Sequence, residues 1–462
     1  MLRTAAAVAL ACAVAGPAVA ETPPERGESA PGIPTERPNT GEMRSDDLAR
    51  KNVGGYFTGL PILVYSTDIG LGVGARVYYY WNGDRADPRF TRSPYLYRMF
   101  VQAFGSTRGL QFHYLDFDAP QINHTPYRVR SELVFMRNIT SNYFSLGNKS
   151  LAPLAFTGSP QTFTSFDAYN HELQRIAGDG TTYAKYDQFD LIRPYLLGSV
   201  QRDFKKVLRV QAGLGFSYAQ IRDYTGTRVD ATDAGGQAAT ATQSPTRLRE
   251  ECAAGIVVGC DGGWDNFFRL ALSYDSRDFE PDPNLGMFLE VAIDAASAAL
   301  GSEYDYVRGI VAGRGYWSPI PGRDFVLAGR AAVVASTPGV PFFSMDTFPF
   351  TETPRTGLGG HRTLRGFRQD RFVGPVMTLA NLEARWTFGH TQIKQQRFAF
   401  ILAPFIDVGR PFDKLAELTW RDWRRSYGAA FRVSWNLATI VTADFGVSAE
   451  DAGFYLNFGH MF

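Results

Sequence analysis

The sequence predicts an all-β chain, a sixteen-stranded antiparallel transmembrane β-barrel, on three observations. From Gly54 onward, apolar and polar residues alternate in short runs broken by Gly, Pro, Asn and Asp. Aromatic residues, 14% of the chain, gather at the ends of those runs, as at Tyr78-Tyr79-Tyr80-Trp81, Tyr316-Trp317, Trp386 and Trp435, where a membrane interface favours amphipathic rings. Beyond the N-terminus no stretch approaches the roughly 20 consecutive apolar residues of a helical span, so a helical membrane protein is excluded.

Composition removes other classes. Among 462 residues, 47 basic side chains face 46 acidic ones, a net charge of +1 that lacks the basic excess of a nucleic-acid binder. A hydrophobic content of 45% is too high for an acidic disordered chain.

Residues 1–20 combine Arg3, an apolar run from Ala5 to Ala15 and the small-residue site Ala18-Val19-Ala20, the pattern of a secretory signal peptide. Residues 21–52, rich in Pro, Glu, Arg and Gly, read as a disordered periplasmic linker, and 53–462 as the outer-membrane barrel. Cys12 falls within the signal segment. Cys252 and Cys260 remain in an oxidising compartment and are expected to pair as a local loop staple. The six His residues form no metal-ligand cluster with them, and neither a metal nor a cofactor is expected.

Alternating runs lie near 56–66, 69–81, 95–105, 109–117, 127–137, 183–203, 207–224, 266–276, 285–296, 304–318, 324–336, 375–388, 397–409, 426–435, 438–447 and 453–462. Roughly 410 residues shared among these runs give about 25 per strand and connection, which suits strands of about 10 residues. In Phe268 to Asp275, Phe268, Leu270, Leu272 and Tyr274 oppose Arg269, Ser273 and Asp275; in the last run Phe454, Leu456, Phe458 and Phe462 share one face with His460. A soluble sandwich also alternates, but an open sheet in hydrocarbon leaves backbone groups unpaired at several kcal/mol each, so lipid demands closure. With both termini periplasmic, the long outer loops are 138–182, 225–265, 337–374 and 410–425, and the inner turns at 203–206, 319–323 and 389–396 are short, the asymmetry expected of such a barrel.

The loop at 337–374 contains Gly359-Gly360-His361-Arg362-Thr363-Leu364-Arg365-Gly366-Phe367-Arg368. Two acids follow on neighbouring strands. Glu383 lies opposite Leu382 and Ala384, and Asp407, within Phe405-Ile406-Asp407-Val408-Gly409, lies opposite Ile406 and Val408, so both face the lumen. An inward-folded loop brings Arg365 against both. At about 4 Å and an effective dielectric of 20, each contact has a Coulomb term near 4 kcal/mol before desolvation, and the planar guanidinium suits bidentate pairing. The alternative is that these charges solvate the lumen while the loop stays outside.

Leu364-Arg365-Gly366-Phe367, then Asn381-Leu382-Glu383, then Phe405-Ile406-Asp407-Val408-Gly409 resembles the barrel motifs of the BamA/TamA outer-membrane assembly superfamily, also called the bacterial surface antigen family. Thr67-Asp68-Ile69-Gly70 in the first hairpin also fits, and the end of the chain, with Phe454, Leu456, Phe458, Gly459 and Phe462, resembles the terminal strand that serves as the insertion signal. The resemblance covers roughly 53–462. It implies an inward-folded sixth outer loop, a lumen lock of Arg365 with Glu383 and Asp407, loop-motif residues Leu364, Gly366 and Phe367, strand-motif residues Phe405 and Gly409, and a weak seam between the first and last strands.

Typical members carry periplasmic POTRA modules, for which the linker has no room, and a periplasmic partner supplying that function is therefore expected. Neither a patatin-like domain nor a Gly-x-Ser-x-Gly elbow is present, and no catalytic residues are expected. The implied function is insertion or translocation of protein or lipid through the seam of a plugged barrel. The implied partners are outer-membrane lipid, lipopolysaccharide and the barrel assembly machinery, with no nucleic acid and the oligomeric state left open. The alternative is a passive channel or a structural surface barrel.

Overall fold

The computed structural model describes residues 51–90, 95–205, 207–278, 282–319, 324–352, 355–393, 396–435 and 439–462. The expected signal peptide, Cys12 and the linker before Lys51 lie outside the described residues. Lys51 and Asn52, read as the end of that linker, are pinned. Lys51 Nζ donates to the Phe90 carbonyl at 2.7 Å, and Asn82 Nδ2 donates to that of Asn52 at 2.7 Å.

Sixteen strands succeed one another around the sheet: β1 Gly55–Ser66, β2 Gly70–Trp81, β3 Tyr97–Ser106, β4 Leu110–Ala119, β5 Tyr127–Asn142, β6 Gln188–Phe204, β7 Leu208–Asp223, β8 Phe267–Asp275, β9 Gly286–Ala296, β10 Tyr306–Trp317, β11 Phe325–Ser336, β12 Val376–Ile393, β13 Gln396–Phe412, β14 Arg424–Trp435, β15 Thr439–Val447 and β16 Ala452–Phe458. Each pairs antiparallel with the next, and β1 returns to β16, so the sheet closes into a sixteen-stranded barrel. No helix among the described residues is long and apolar enough to cross a membrane.

The alternation fixes which face is which. On β9 the outward Leu289, Val291 and Ile293 are exposed, while the inward Glu290 and Asp294 are buried. Inward charges are paired across strands, as where Arg269 Nε lies 2.6 Å and Arg308 Nη2 lies 2.9 Å from Asp294 carboxylate oxygens. An unpaired buried charge is costly, so a lumen this rich in Arg is also rich in Asp and Glu.

Three expectations need correction. β5 continues to Asn142 through a register shift at Asn138/Ser141, and β6 begins at Gln188, so the third loop is 143–187 rather than 138–182. β12 continues to Ile393 through a register shift at Thr387/Gly389, and the turn to β13 is shorter than 389–396. The last run does not reach the chain end as a strand. β16 stops at Phe458, and Gly459, with φ +82, adopts the left-handed conformation that glycine tolerates. His460, Met461 and Phe462 then turn inward. Phe462 therefore leaves the lipid face expected for it and packs with Met461 against Tyr316, Val326 and Ala328, its ring 5.0 Å from the Arg330 guanidinium.

The loop end opposite the termini is roofed. Helices α1 Phe166–Leu173 and α2 Arg247–Ala253 are N-capped by Ser165 and Thr246. With three short strands, Thr181–Thr182, Arg228–Thr232 and Ala238–Gln243, they fold loops 143–187 and 224–266 into a cap. Phe144, Leu154, Phe156, Tyr169, Leu173 and Tyr186 form its apolar core. Cys252 on α2 is disulfide-bonded to Cys260, and both pack against the apolar cluster holding Phe342 and Phe343 of the sixth loop.

One junction differs from the rest. β1 pairs with β2 from Gly55↔Trp81 to Ser66↔Gly70, but with β16 only at Tyr65↔Leu456 and Ser66↔Tyr455. Among the described residues, the β16-facing edge of Gly55 to Val64 therefore has no ladder partner. Pro61 lies in that stretch, and proline, without an N–H, is tolerated at such an edge.

Candidate functional site

Loop 6, 337–375, enters the site from β11 and leaves into β12. Its tip is held by apolar packing first: Leu364 and Phe367 are buried with Phe348, Phe350, Leu358, Phe372, Met377 and Leu379. Gly409 on β13 makes room for that cluster, since a Cβ there would lie 2.8 Å from Leu358 Cδ2. Thr363 Oγ1 ties the turn by accepting from Gly359 N at 3.0 Å and donating to the Gly357 carbonyl at 2.6 Å. Gly366, with φ +91, lies so close to β15 that a Cβ on it would be 2.9 Å from backbone atoms of Gly446 and Val447.

Between these anchors Arg365, fully buried, meets the barrel wall. Its Nε and Nη2 donate to the two oxygens of Asp407 at 2.9 Å each, and its Nη1 donates to Glu383 Oε1 at 3.0 Å and to Asp444 Oδ2 at 3.2 Å. The guanidinium lies 3.2 Å from the centroid of the Phe405 ring, which stacks on its remaining face. Arg432 also chelates Glu383, with Nη2 at 2.7 Å from Oε1 and Nη1 at 2.9 Å from Oε2, and Arg385 Nε donates to Oε2 at 2.9 Å. Asn381 Nδ2 donates to Asp407 Oδ1 at 2.8 Å and to the Thr363 carbonyl at 2.8 Å, joining strand to loop. Three guanidiniums thus balance three carboxylates. Desolvation offsets much of the Coulomb gain of such a cluster, so its main consequence is one seated position for loop 6 rather than a large stability.

The Omp85 superfamily domain matches residues 125–462, well over half the chain. The chain belongs to the Omp85 superfamily. Residues 35–96 match a separate domain of unknown function, DUF5982. A curated relative, the outer membrane protein assembly factor BamA of Nitratidesulfovibrio vulgaris, is 26% identical over 174 residues, which are 34% of this chain and only 20% of that relative. Among solved structures, BamA from Haemophilus ducreyi lacking POTRA domains 1-3 superposes with a TM-score of 0.52 at 12% identity, covering 88% of this chain and 70% of that one. CdiB from Escherichia coli gives 0.47 at 9% identity, covering 90% of this chain and 69% of that one. At these identities the structures speak to fold alone.

As an Omp85 barrel the protein is an outer-membrane β-barrel protein. The structure adds to the three residues singled out from sequence. Asp444, Arg432, Arg385 and Asn381 share the cluster, and Tyr455 OH accepts from Gly366 N at 3.1 Å. Their signal was parity: each lies on the inward face of its strand, but parity does not reveal which inward residues meet. Of the residues expected at the C-terminus, Phe454 and Leu456 lie on β16, with Phe454 exposed outward; Phe458 ends that strand, Gly459 turns the chain, and Phe462 reaches the site from inside, its carbonyl accepting from Arg385 Nη2 at 3.1 Å.

Loop 6 of this Omp85 barrel also buries a strained acid. Asp370 has φ +55, and its Oδ1 accepts from Gly357 N at 2.9 Å while Gln369 Nε2 donates to Oδ2 at 3.2 Å. Burial, and then the neighbouring Asp346 carboxylate, push Asp370 well above the usual carboxylate range. A carboxyl raised in the folded state binds its proton more tightly there than in the unfolded chain. Its favourable contribution is therefore full below the unfolded-state value and lost as pH rises through the folded-state value. Trypsin cleavage within loop 6, normalised at each pH to cleavage of an unstructured reference peptide, is expected to rise in the native protein as pH climbs above the ordinary carboxylate range. The Asp370→Asn variant should flatten that dependence, and an unchanged pH profile in the variant would refute the assignment.

Proposed function

We propose that this Omp85 barrel assists insertion or translocation of protein or lipid at the outer membrane through a lateral seam between β1 and β16, with loop 6 as a releasable plug that Arg365, Glu383 and Asp407 lock in the lumen. The observation that carries the reading is the unequal closure of the sheet. Backbone groups of Gly55 to Val64 lack a partner on β16, while every other junction forms an extended ladder. In hydrocarbon each such group costs several kcal/mol, so this is the edge that another strand or a lipid headgroup would satisfy.

The proposed partners follow from that setting: outer-membrane lipid and lipopolysaccharide at the seam, a periplasmic protein that delivers clients, and the barrel assembly machinery for the protein's own insertion. We assign the insertion signal to Phe454, Leu456 and Phe458 on β16 with the Gly459 turn, and place Phe462 with the lumen contacts instead.

Arg365→Ala tests the reading. The acids keep Arg432, Arg385 and Asn381, so barrels still assemble and remain heat-modifiable on gels, while loop 6 loosens and client delivery falls severalfold. An undisturbed loop 6 by trypsin and a wild-type envelope phenotype in the assembled variant would remove the lock from the mechanism.

A further inference from the structure

Loop 6 touches both sides of the seam, and one side chain does so by itself. Arg368 Nη1 donates to the Thr67 carbonyl at 2.9 Å, in the turn between β1 and β2. Arg368 Nε lies 2.9 Å from Asp451 Oδ2, in the turn between β15 and β16. Contacts on either side reinforce this bridge. Gln369 N donates to Asp68 Oδ1 at 3.0 Å on the β1 side; on the β16 side Ser448 Oγ donates to the Gly366 carbonyl at 2.8 Å and Arg371 Nε pairs with Glu450 at 2.8 Å. The Arg368 guanidinium also lies 4.3 Å from the centroid of Phe166, whose N–H donates to the Glu450 carbonyl at 2.7 Å.

We propose that Arg368 is a positioning residue that staples the seam at the loop end. While loop 6 is seated, the seam parts only from the terminal end, and when the loop leaves, both ends are free. The inference rests on the seam reading above and adds to it a hinge and the residue that makes it. The short β1 to β16 ladder, Tyr65↔Leu456 and Ser66↔Tyr455, lies directly below the two turns that Arg368 joins, so ladder and staple hold the same end. Arginine suits the task because its broad planar cation can hydrogen-bond the Thr67 carbonyl through Nη1 while its Nε edge lies in ion-pair contact with Asp451, whereas a lysine ammonium is a single point on a flexible stem. Arg368 and Asp451 are each about one-fifth exposed, so the pair adds little to stability and its effect is on geometry.

The experiment places cysteines at Tyr65 and Leu456 in the full-length protein in outer membranes and measures the rate of oxidative crosslinking across the seam. The parent should crosslink readily. Arg368→Ala should slow it severalfold, and Asp451→Asn, which cuts only the β16 arm, should slow it less. The double variant should be no slower than Arg368→Ala alone, because the two changes remove one bridge. Heat-modifiability verifies that each variant is an assembled barrel, and Asp451→Asn, being at the surface, keeps the test alive if Arg368→Ala fails to assemble. Parent-like crosslinking in both single variants, or losses that add in the double variant, would overturn the staple and leave the seam reading standing. A parent that does not crosslink at all would overturn both.

Discussion

Replacing Glu383 with Ala should unseat loop 6 and lower the temperature at which the folded band is lost by more than any other single change in the lumen cluster. Glu383 is fully buried and accepts from three guanidiniums, those of Arg365, Arg385 and Arg432, at 2.7 to 3.0 Å. Alanine leaves Arg365 with Asp407 and Asp444 but strips Arg385 and Arg432 of their carboxylate. Removing one member of a buried ion pair costs about 3–5 kcal/mol, because the stranded charge, more than the lost contact, sets the penalty. Glu383→Gln preserves shape and one acceptor oxygen but presents an amide N–H₂ to the guanidiniums, and it should fall between alanine and wild type. By contrast, Glu172→Ala, which removes the exposed partner of Arg175 on the cap, should change little. Heat-modifiability against temperature, with trypsin cleavage of loop 6 as the local readout, decides the matter. A Glu383→Ala barrel that melts and resists trypsin as the native one does would show that the cluster is not what holds the loop.

Gly366→Ala should displace the loop with the charged cluster chemically intact. At φ +91 an alanine is strained by roughly 1–2 kcal/mol before any contact is considered. Its Cβ would also lie 2.9 Å from the backbone of Gly446 and Val447, and strand backbone in a closed barrel has little room to move. Backing the loop away forfeits the hydrogen bonds from Gly366 N to Tyr455 OH and from Ser448 Oγ to the Gly366 carbonyl. Gly446→Ala attacks the same close approach from the strand, where a Cβ would meet Arg365 Cβ at 2.9 Å. Both variants should expose loop 6 to trypsin and reduce client delivery as far as Arg365→Ala does or further, and the double variant should be little worse than either single one. Native protection in Gly366→Ala would mean that the motif glycine is there for some reason other than this approach.

The two changes separate charge from fit, and the sequence speaks to them unequally. The Arg365, Glu383 and Asp407 charges are visible as residue types at inward parity, whereas the fit at Gly366 depends on β15, some eighty residues farther along. Likewise Asp444 and Arg432 stand on the polar faces of their strands, but nothing local says that they reach Glu383 and Arg365, because that depends on strand stagger around the ring. Folded loops were harder still. The cap builds its apolar core within 143–187 and ties 224–266 to it through contacts such as Arg247 with Asp187 and Tyr186 with Glu250, and neither segment shows a period that declares it.

The sequence by itself determined the number of strands, the face each presents to lipid, the family motifs and the cysteines available to pair. Side-chain alternation is a local property of extended backbone, and hydrocarbon accepts only a closed sheet. Tertiary structure alone decided that β16 ends at Phe458 and sends Phe462 inward, that β1 meets β16 over so short a ladder, and that Arg368 bridges the turns above it. Those features depend on how far one strand slides past another and on where a long loop lands, and both are set by contacts between residues far apart in the chain.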